Sequence, residues 1–350
     1  MNLAAGGQGK VYRVIDVKKF DELELRRPIQ LWIENVTHLE AEEKIAKGFR
    51  EFGESIINIG KMANPSNHGA LKILHKPEDA RDATLASERI KREIEAMVKI
   101  SHPNILKILD SDKDAQWHVS QYHHRGSLIK NVDVFKGKFI ESLRAIRPLV
   151  EGVALLHKNN IVHRDIKPEN VFFNTDGNLI LGDFGLVFFI DEHHSRISAT
   201  WENVGSRDWM PAWAMGMRIE DIKPSFDIFC IGKLLWSMIS GSRLLRLWYF
   251  DRPQFNLESL FPDTLSIEFA NPLLKKCIVE DEHNCLPDGA ALLAEIEKVL
   301  RIIDVNADLI GDQIRRRCKV CGIGTYRLTA NKNISDIRNF GFNPTGRTHI

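Results

Sequence analysis

The sequence predicts an α+β chain folded in two lobes, on three observations. Short strand-like runs gather before residue 123, helical periodicity dominates from Ile140 onward, and the break Arg125-Gly126-Ser127 lies between them. The division that follows is a small lobe over residues 1–123, a larger lobe over 124–303 and a tail over 304–350.

The elements can be justified in order. Lys10-Val11-Tyr12-Arg13-Val14 alternates apolar and polar residues directly after a glycine cluster, which is a strand signal. Ala70-Leu71-Lys72-Ile73-Leu74 reads as the next strand. Residues 15–69 intervene and carry their own helical pattern. Thr37-His38-Leu39-Glu40 has capping-box spacing, and Ile45, Phe49, Phe52, Ile56, Ile59 and Met62 recur at steps of three and four. A helix is therefore expected over about 39–63, its apolar stripe needing a partner surface. A further helix runs from about Glu78 to Ile100, with Ile90, Ile94, Met97 and Val98 on one side, until Ser101-His102-Pro103-Asn104 stops it. Ile105 to Leu109 and Trp117 to Tyr122 read as strands. Phe139 to Lys158 is an amphipathic helix, and Asp227 to Ser240 is apolar nearly all round, hence a buried helix.

Composition narrows the function classes. The 350 residues leave room for roughly two cores. With 43% apolar and 27% charged residues, the chain is not disordered throughout. Lys and Arg total 48 against 47 Asp and Glu, a balance that argues against coating nucleic acid or an anionic membrane. The longest apolar run of the C-terminal half, Ile228 to Ile239, is broken by Lys233 and too short to span a bilayer. Met1 to Lys10 shows no signal-peptide pattern. Five sparse cysteines suit a reducing compartment, so a cytoplasmic location is expected.

Three segments carry chemistry. In Gly6-Gly7-Gln8-Gly9-Lys10-Val11, glycines allow backbone N–H groups to approach phosphate oxygens, although such a cluster alone is more often a turn. No G-x-x-x-x-G-K-[ST] run is present, so a Walker-type loop is not the reading. In His163-Arg164-Asp165-Ile166-Lys167-Pro168-Glu169-Asn170, Pro168 argues against a continuous helix. One loop then holds a carboxylate, an ammonium and an amide, which can orient a hydroxyl, neutralise phosphate and ligate a hard cation. Leu181-Gly182-Asp183-Phe184-Gly185 places an aspartate where it can cap a turn or offer oxygen to Mg²⁺.

Together and in this order, the segments resemble the protein kinase superfamily, with its Gly-rich loop, strand lysine, H-R-D-x-x-x-x-N loop and D-F-G. Here Ala70-Leu71-Lys72-Ile73 supplies the lysine, Asn170 stands five residues after Asp165, and Asp183 eighteen after it. The resemblance covers roughly residues 4–300 and implies a bilobal fold and ATP-dependent transfer of phosphate to protein Ser or Thr. It implies that Lys72 holds the α- and β-phosphates and pairs with Glu93, that Asp165 orients the substrate hydroxyl, and that Asn170 and Asp183 hold Mg²⁺. Lys167, two residues after Asp165, resembles the serine/threonine subgroup. Gly6, Gly7 and Gly9 would lie over the phosphates. Val11, Ala70 and Phe172 would enclose adenine, with Ser120 gating the rear and backbone groups of Gln121 and His123 along the hinge. Arg164 is expected to meet a phosphorylated residue of the segment from Asp183 to Trp213, with Thr200 or Ser198 as sites and Glu202 as a fixed charge.

The sequence also departs from that pattern. Ala4 replaces the first loop glycine, and the first strand is expected to be missing or much shortened. The A-P-E that closes the activation segment falls on Pro211-Ala212-Trp213, and its arginine partner falls near Cys285, so an ion pair is expected to be replaced by apolar contacts. Cys318-Lys319-Val320-Cys321-Gly322 resembles half of a zinc ribbon. Structural zinc takes four ligands, so Zn²⁺ there requires others, such as His349. The alternatives to an active kinase are a pseudokinase acting as a nucleotide-binding or scaffolding module, and a small-molecule kinase of similar fold.

Overall fold

The computed structural model describes residues 2–6, 9–15, 68–74, 91–112, 117–190, 208–215 and 221–321. A five-stranded antiparallel sheet makes up most of the smaller lobe, in the order β1-β2-β3-β5-β4. Its strands are β1 Asn2–Gly6, β2 Gly9–Ile15, β3 His68–Leu74, β4 Ile108–Ser111 and β5 Trp117–Gln121. The first strand is thus present and short. β2 and β3 pair without a slip from Gly9↔Leu74 to Ile15↔His68, so 16–67 connects two neighbouring strands. The helix expected over about 39–63 lies outside the described residues, as does the part of the next helix before residue 91.

Residues 91–99 are helical (α1). Glu93, Ala96, Met97 and Ile100 are buried, whereas Val98 is 65% exposed. Steps of three and four from Glu93 define the buried face and leave Val98 off it, contrary to the sequence reading. The strand expected at Ile105 also shifts. Leu106 N–H donates to Leu181 O and Leu181 N–H to Asn104 O, both at 2.8 Å, so the larger lobe takes this backbone and pairing with β5 begins at Ile108.

The larger lobe is helical with two short hairpin-like pairs. Its helices are α2 Phe139–Lys158, α3 Ser225–Ser240, α4 Leu257–Leu260, α5 Ala270–Leu274 and α6 Gly289–Cys321. β6 Ile161–Val162 pairs with β9 Phe188–Phe189, and β7 Val171–Phe173 with β8 Leu179–Leu181. α2 buries Phe139, Leu143, Ile146, Leu149, Val150, Val153 and Leu156, at helical spacing, against α6 and α3. α6 answers with Leu292, Ile296, Val299 and Ile303, and its backbone continues to Cys321. The expected boundary at 303/304 falls inside this helix, and the backbone of Cys318 and Cys321 lies on it, not on a knuckle turn.

Every residue of α3 is buried, as its uniform apolarity implied. Gly241 ends the helix in the left-handed region at φ 71°, its N–H bonded to Ser237 O. A Cβ at Gly232 would lie 2.6 Å from Cys277 Cβ and 2.9 Å from Ile278 Cγ1. Gly232→Ala is therefore expected to destabilise the fold by about 1–3 kcal/mol, the usual range for overpacking. Urea unfolding monitored by tryptophan fluorescence checks it.

Candidate active site

β3 places Lys72 opposite Val11 of β2 and His118 of β5. Directly paired residues share a face of the sheet, so Val11, Ala70, Lys72, His118 and Ser120 all point the same way. α1 lies on that side. Lys72 Nζ donates to Glu93 Oε1 at 2.9 Å and Oε2 at 2.7 Å, and to Asp183 Oδ1 at 3.2 Å. Burial alone would raise the Glu93 carboxyl, but the Lys72 charge and His118 pull it down to about 2. Burial likewise opposes the Lys72 ammonium, and Glu93 and Asp183 outweigh it, so its pKa rises. The predicted Lys72–Glu93 pair thus forms and reaches the predicted metal ligand Asp183.

The loop over 163–170 is tied down by a buried carboxylate. Asp227, at the start of α3, accepts the N–H of His163 through Oδ2 and of Arg164 through Oδ1, both at 2.8 Å. Its Oδ2 lies 2.9 Å from His157 Nε2. His157 Nδ1 accepts the Gly289 N–H at 2.9 Å, so the proton of a neutral ring sits on Nε2 and is donated to Asp227. Burial would raise Asp227, yet the His157 hydrogen bond, the neighbouring histidines and the His163 N–H hold it below the usual carboxylate range. These bonds stabilise Arg164 at φ 68°, and Asp183 is similarly left-handed at φ 56°. Such conformations persist in non-glycine residues when their surroundings over-determine them.

Within the loop, Lys167 Nζ lies 2.8 Å from both Asp165 oxygens. Asn170 Nδ2 donates to Asp165 Oδ2 at 2.7 Å and to Asp165 O at 2.9 Å. Asp165, Lys167 and Asn170 therefore form one hydrogen-bonded group. Behind it the His163 ring meets Phe184 edge-on at 4.8 Å, which joins the loop to the Asp183 segment.

The other predicted positions fall as follows. Gly6 and Gly9 pair across the β1–β2 turn, while Gly7 lies outside the described residues. Val11, Ala70 and Phe172 are half-buried. His123 is buried, its ring stacked 6.0 Å from that of Phe172. Burial lowers His123 to about 4, with His124 adding to the effect, so the ring is neutral at ordinary pH. Gln121 N–H donates to Lys107 O, and His123 O accepts from Gly126 N–H. Both of these groups are hydrogen-bonded within the fold. Arg164 is 7% exposed, and its guanidinium donates to the carbonyls of Leu186 and Val187 and lies 5.1 Å from the Phe188 ring. The expected phosphosites and Glu202 lie outside the described residues.

The positions of the absent ion pair are taken by Trp213 and Cys285. Trp213 meets Phe226 at 6.3 Å and Phe229 at 6.4 Å, edge to face, and Cys285 Sγ lies 3.5 Å from Ser225 O and 3.4 Å from Cys277 O.

Sequence reasoning missed His118. It is 3% exposed, its Nε2 is 3.5 Å from Glu93 Oε1, and only the strand register places it beside Lys72. His157 was also missed, because its role depends on Asp227 and Gly289, both far away in sequence.

Comparison with known proteins agrees with this geometry. The protein kinase domain model matches residues 42–283, and the chain belongs to the protein kinase family. Among similar proteins, a probable serine/threonine-protein kinase samkB of Dictyostelium discoideum is 32% identical, over 53% of this chain and 35% of that protein. Aurora kinase B of Mus musculus is 29% identical, over 49% of this chain and 48% of its own length. CBL-interacting protein kinase 21 of Oryza sativa subsp. japonica is 28% identical, over 55% and 37%. The chain thus spans a third to a half of these relatives.

Proposed function

We propose that this chain is an ATP-dependent serine/threonine protein kinase, transferring the γ-phosphoryl group of ATP to hydroxyls of protein substrates. The observation that carries the reading is the convergence of Lys72, Glu93 and Asp183 beside the Asp165, Lys167 and Asn170 group. The names of the relatives support the same reading.

In this mechanism Lys72, held in place by Glu93, binds the α- and β-phosphates. Asp165 orients the acceptor hydroxyl and takes its proton as that oxygen bonds the γ-phosphorus and the bond to the bridging oxygen of ADP breaks. Lys167 turns from Asp165 to the transferred phosphoryl group and offsets its charge. Asn170 donates through Nδ2 to Asp165, so its amide oxygen is the atom it can offer a cation. The Asp183 side chain, 43% exposed, offers a carboxylate. Two hard oxygen donors of this kind suit Mg²⁺, which when bound neutralises charge on the phosphates.

The test is incubation with Mg·ATP and a generic basic protein, followed by phosphoamino-acid analysis. Phosphoserine or phosphothreonine is expected. Nucleotide binding without transfer would convert the reading to a binding module. Asp183→Ala is expected to abolish the Mg²⁺ dependence of nucleotide affinity, measured by calorimetry with and without the metal.

Three further parts belong to the proposal. The stretch 16–67 acts as an insertion between β2 and β3, supported by their unbroken pairing. A cytoplasmic location is proposed from the five sparse cysteines of the sequence. Among the described residues no helix is long and apolar enough to cross a membrane. Zinc bound by Cys318 and Cys321 requires two more ligands from 322–350 or another chain, and elemental analysis of the purified protein tests it. Among the described residues no group of three or more His, Cys, Asp or Glu is arranged to hold a metal.

A further inference from the structure

Helix α3 carries a cation for which the mechanism above has no use. Lys233 is 0% exposed in the middle of a wholly buried helix. Its Nζ donates to the main-chain oxygen of Asp208 and lies 5.6 Å from the ring centroids of both Trp209 and Phe229. Among the described residues no carboxylate forms an ion pair with it. A buried ammonium is unfavourable unless something compensates it, and here the compensation is one carbonyl dipole and two aromatic faces.

The position of this group on α3 matters. Asp227, Cys230 and Lys233 follow at steps of three along one side of the helix. Asp227 holds the backbone of His163 and Arg164, next to Asp165. The Cys230 thiol lies 3.5 Å from Trp209 O, and Lys233 takes Asp208 O. One rigid helix therefore fixes two pieces of chain relative to each other, the catalytic loop and the strap at 208–210.

We propose that Lys233 is a positioning residue for the protein substrate: it fastens the 208–210 strap to the helix that carries the catalytic loop, and so sets where an acceptor hydroxyl meets Asp165. This rests on the kinase reading above.

The anchor depends on charge. Burial lowers Lys233 to about 8, with Cys230 and Asp208 acting in the opposite direction. The titratable groups facing it are the Cys230 thiol, which burial keeps protonated, and the Asp208 carboxylate, which is exposed. In the unfolded chain the lysine keeps its proton up to the ordinary value of 10.5. Between these values the unfolded state binds more protons, so deprotonation favours the fold as pH rises. The same deprotonation weakens the hold on the strap, because the ring faces attract only the cation. The lysine's contribution to stability and the precision of substrate placement thus move in opposite directions.

The experiment compares wild-type protein with Lys233→Met, which keeps the length and apolarity of the side chain. Steady-state kinetics with a peptide substrate and hydrogen exchange of residues 208–215 are measured from pH 7 to 9. Lys233→Met is expected to raise the peptide KM about tenfold, the effect of losing one hydrogen bond from a charged donor. The KM for ATP should stay within about twofold, the melting temperature should hold or rise, and exchange at 208–215 should quicken. The wild-type peptide KM should climb through about pH 8, and that of the variant should not. A folded variant with wild-type peptide KM and exchange overturns the proposal. So does a wild-type KM that is flat with pH, which decides the matter even if the variant fails to fold. Absence of any phosphoryl transfer by the wild type defeats the kinase reading instead, and the exchange comparison still decides the anchor.

Discussion

Asp165→Asn is expected to lower kcat about a thousandfold, within the range of general acid–base contributions, while Mg·ATP still binds. The amide has the size of the carboxylate but cannot take the hydroxyl proton. In the structure, the Asp165 oxygens accept from Lys167 Nζ and Asn170 Nδ2. Asparagine keeps one acceptor oxygen, so the loop, held separately by Asp227, should keep its conformation. Nucleotide binding by calorimetry and single-turnover transfer to peptide separate the two effects. Transfer at the wild-type rate would remove Asp165 from the mechanism.

Lys72→Met is expected to cost about 3–5 kcal/mol of stability, because it leaves the buried Glu93 carboxylate without its cation. The Glu93 side chain is 3% exposed, and its remaining neighbour is His118 at 3.5 Å. Phosphate positioning is lost as well, so activity should fall with stability. The pH dependence identifies the cause. In the wild type Glu93 is lowered from 4.5 to about 2. Its contribution is fully present above 4.5 and is lost as pH falls through the folded value. In the variant, burial raises the same carboxyl, so Glu93 is protonated at higher pH. The stability gap between wild type and variant should therefore begin to narrow above pH 4.5 and go on narrowing below it in urea titrations. Adding Glu93→Leu to Lys72→Met should recover much of the stability and none of the activity. A gap that stays constant down to pH 3 would show that the loss comes from packing alone.

The sequence alone determined most of the local elements and singled out the candidate reacting groups. The helix over Phe139–Lys158 and the strand about Tyr12 follow from periodicities of 3.6 and 2, which depend only on which neighbours are apolar. Lys72, Glu93, Asp165, Lys167, Asn170 and Asp183 could be picked out because their spacing along the chain resembles a known order. Tertiary structure decided whatever depends on residues distant in sequence. The start of β4 moved because Leu181 captures the backbone at 104–106. Val98 faces outward because the sheet, and not the helix's own hydrophobicity, selects the buried face of α1. His118 joins Glu93 through strand register, and His157 bridges Asp227 to the first residue of α6. Lys233, which in the sequence only interrupts an apolar run, becomes a buried anchor once Asp208, Trp209 and Phe229 surround it. A polar group's role inside a protein is set by the partners that replace water around it, and those partners are brought together by folding.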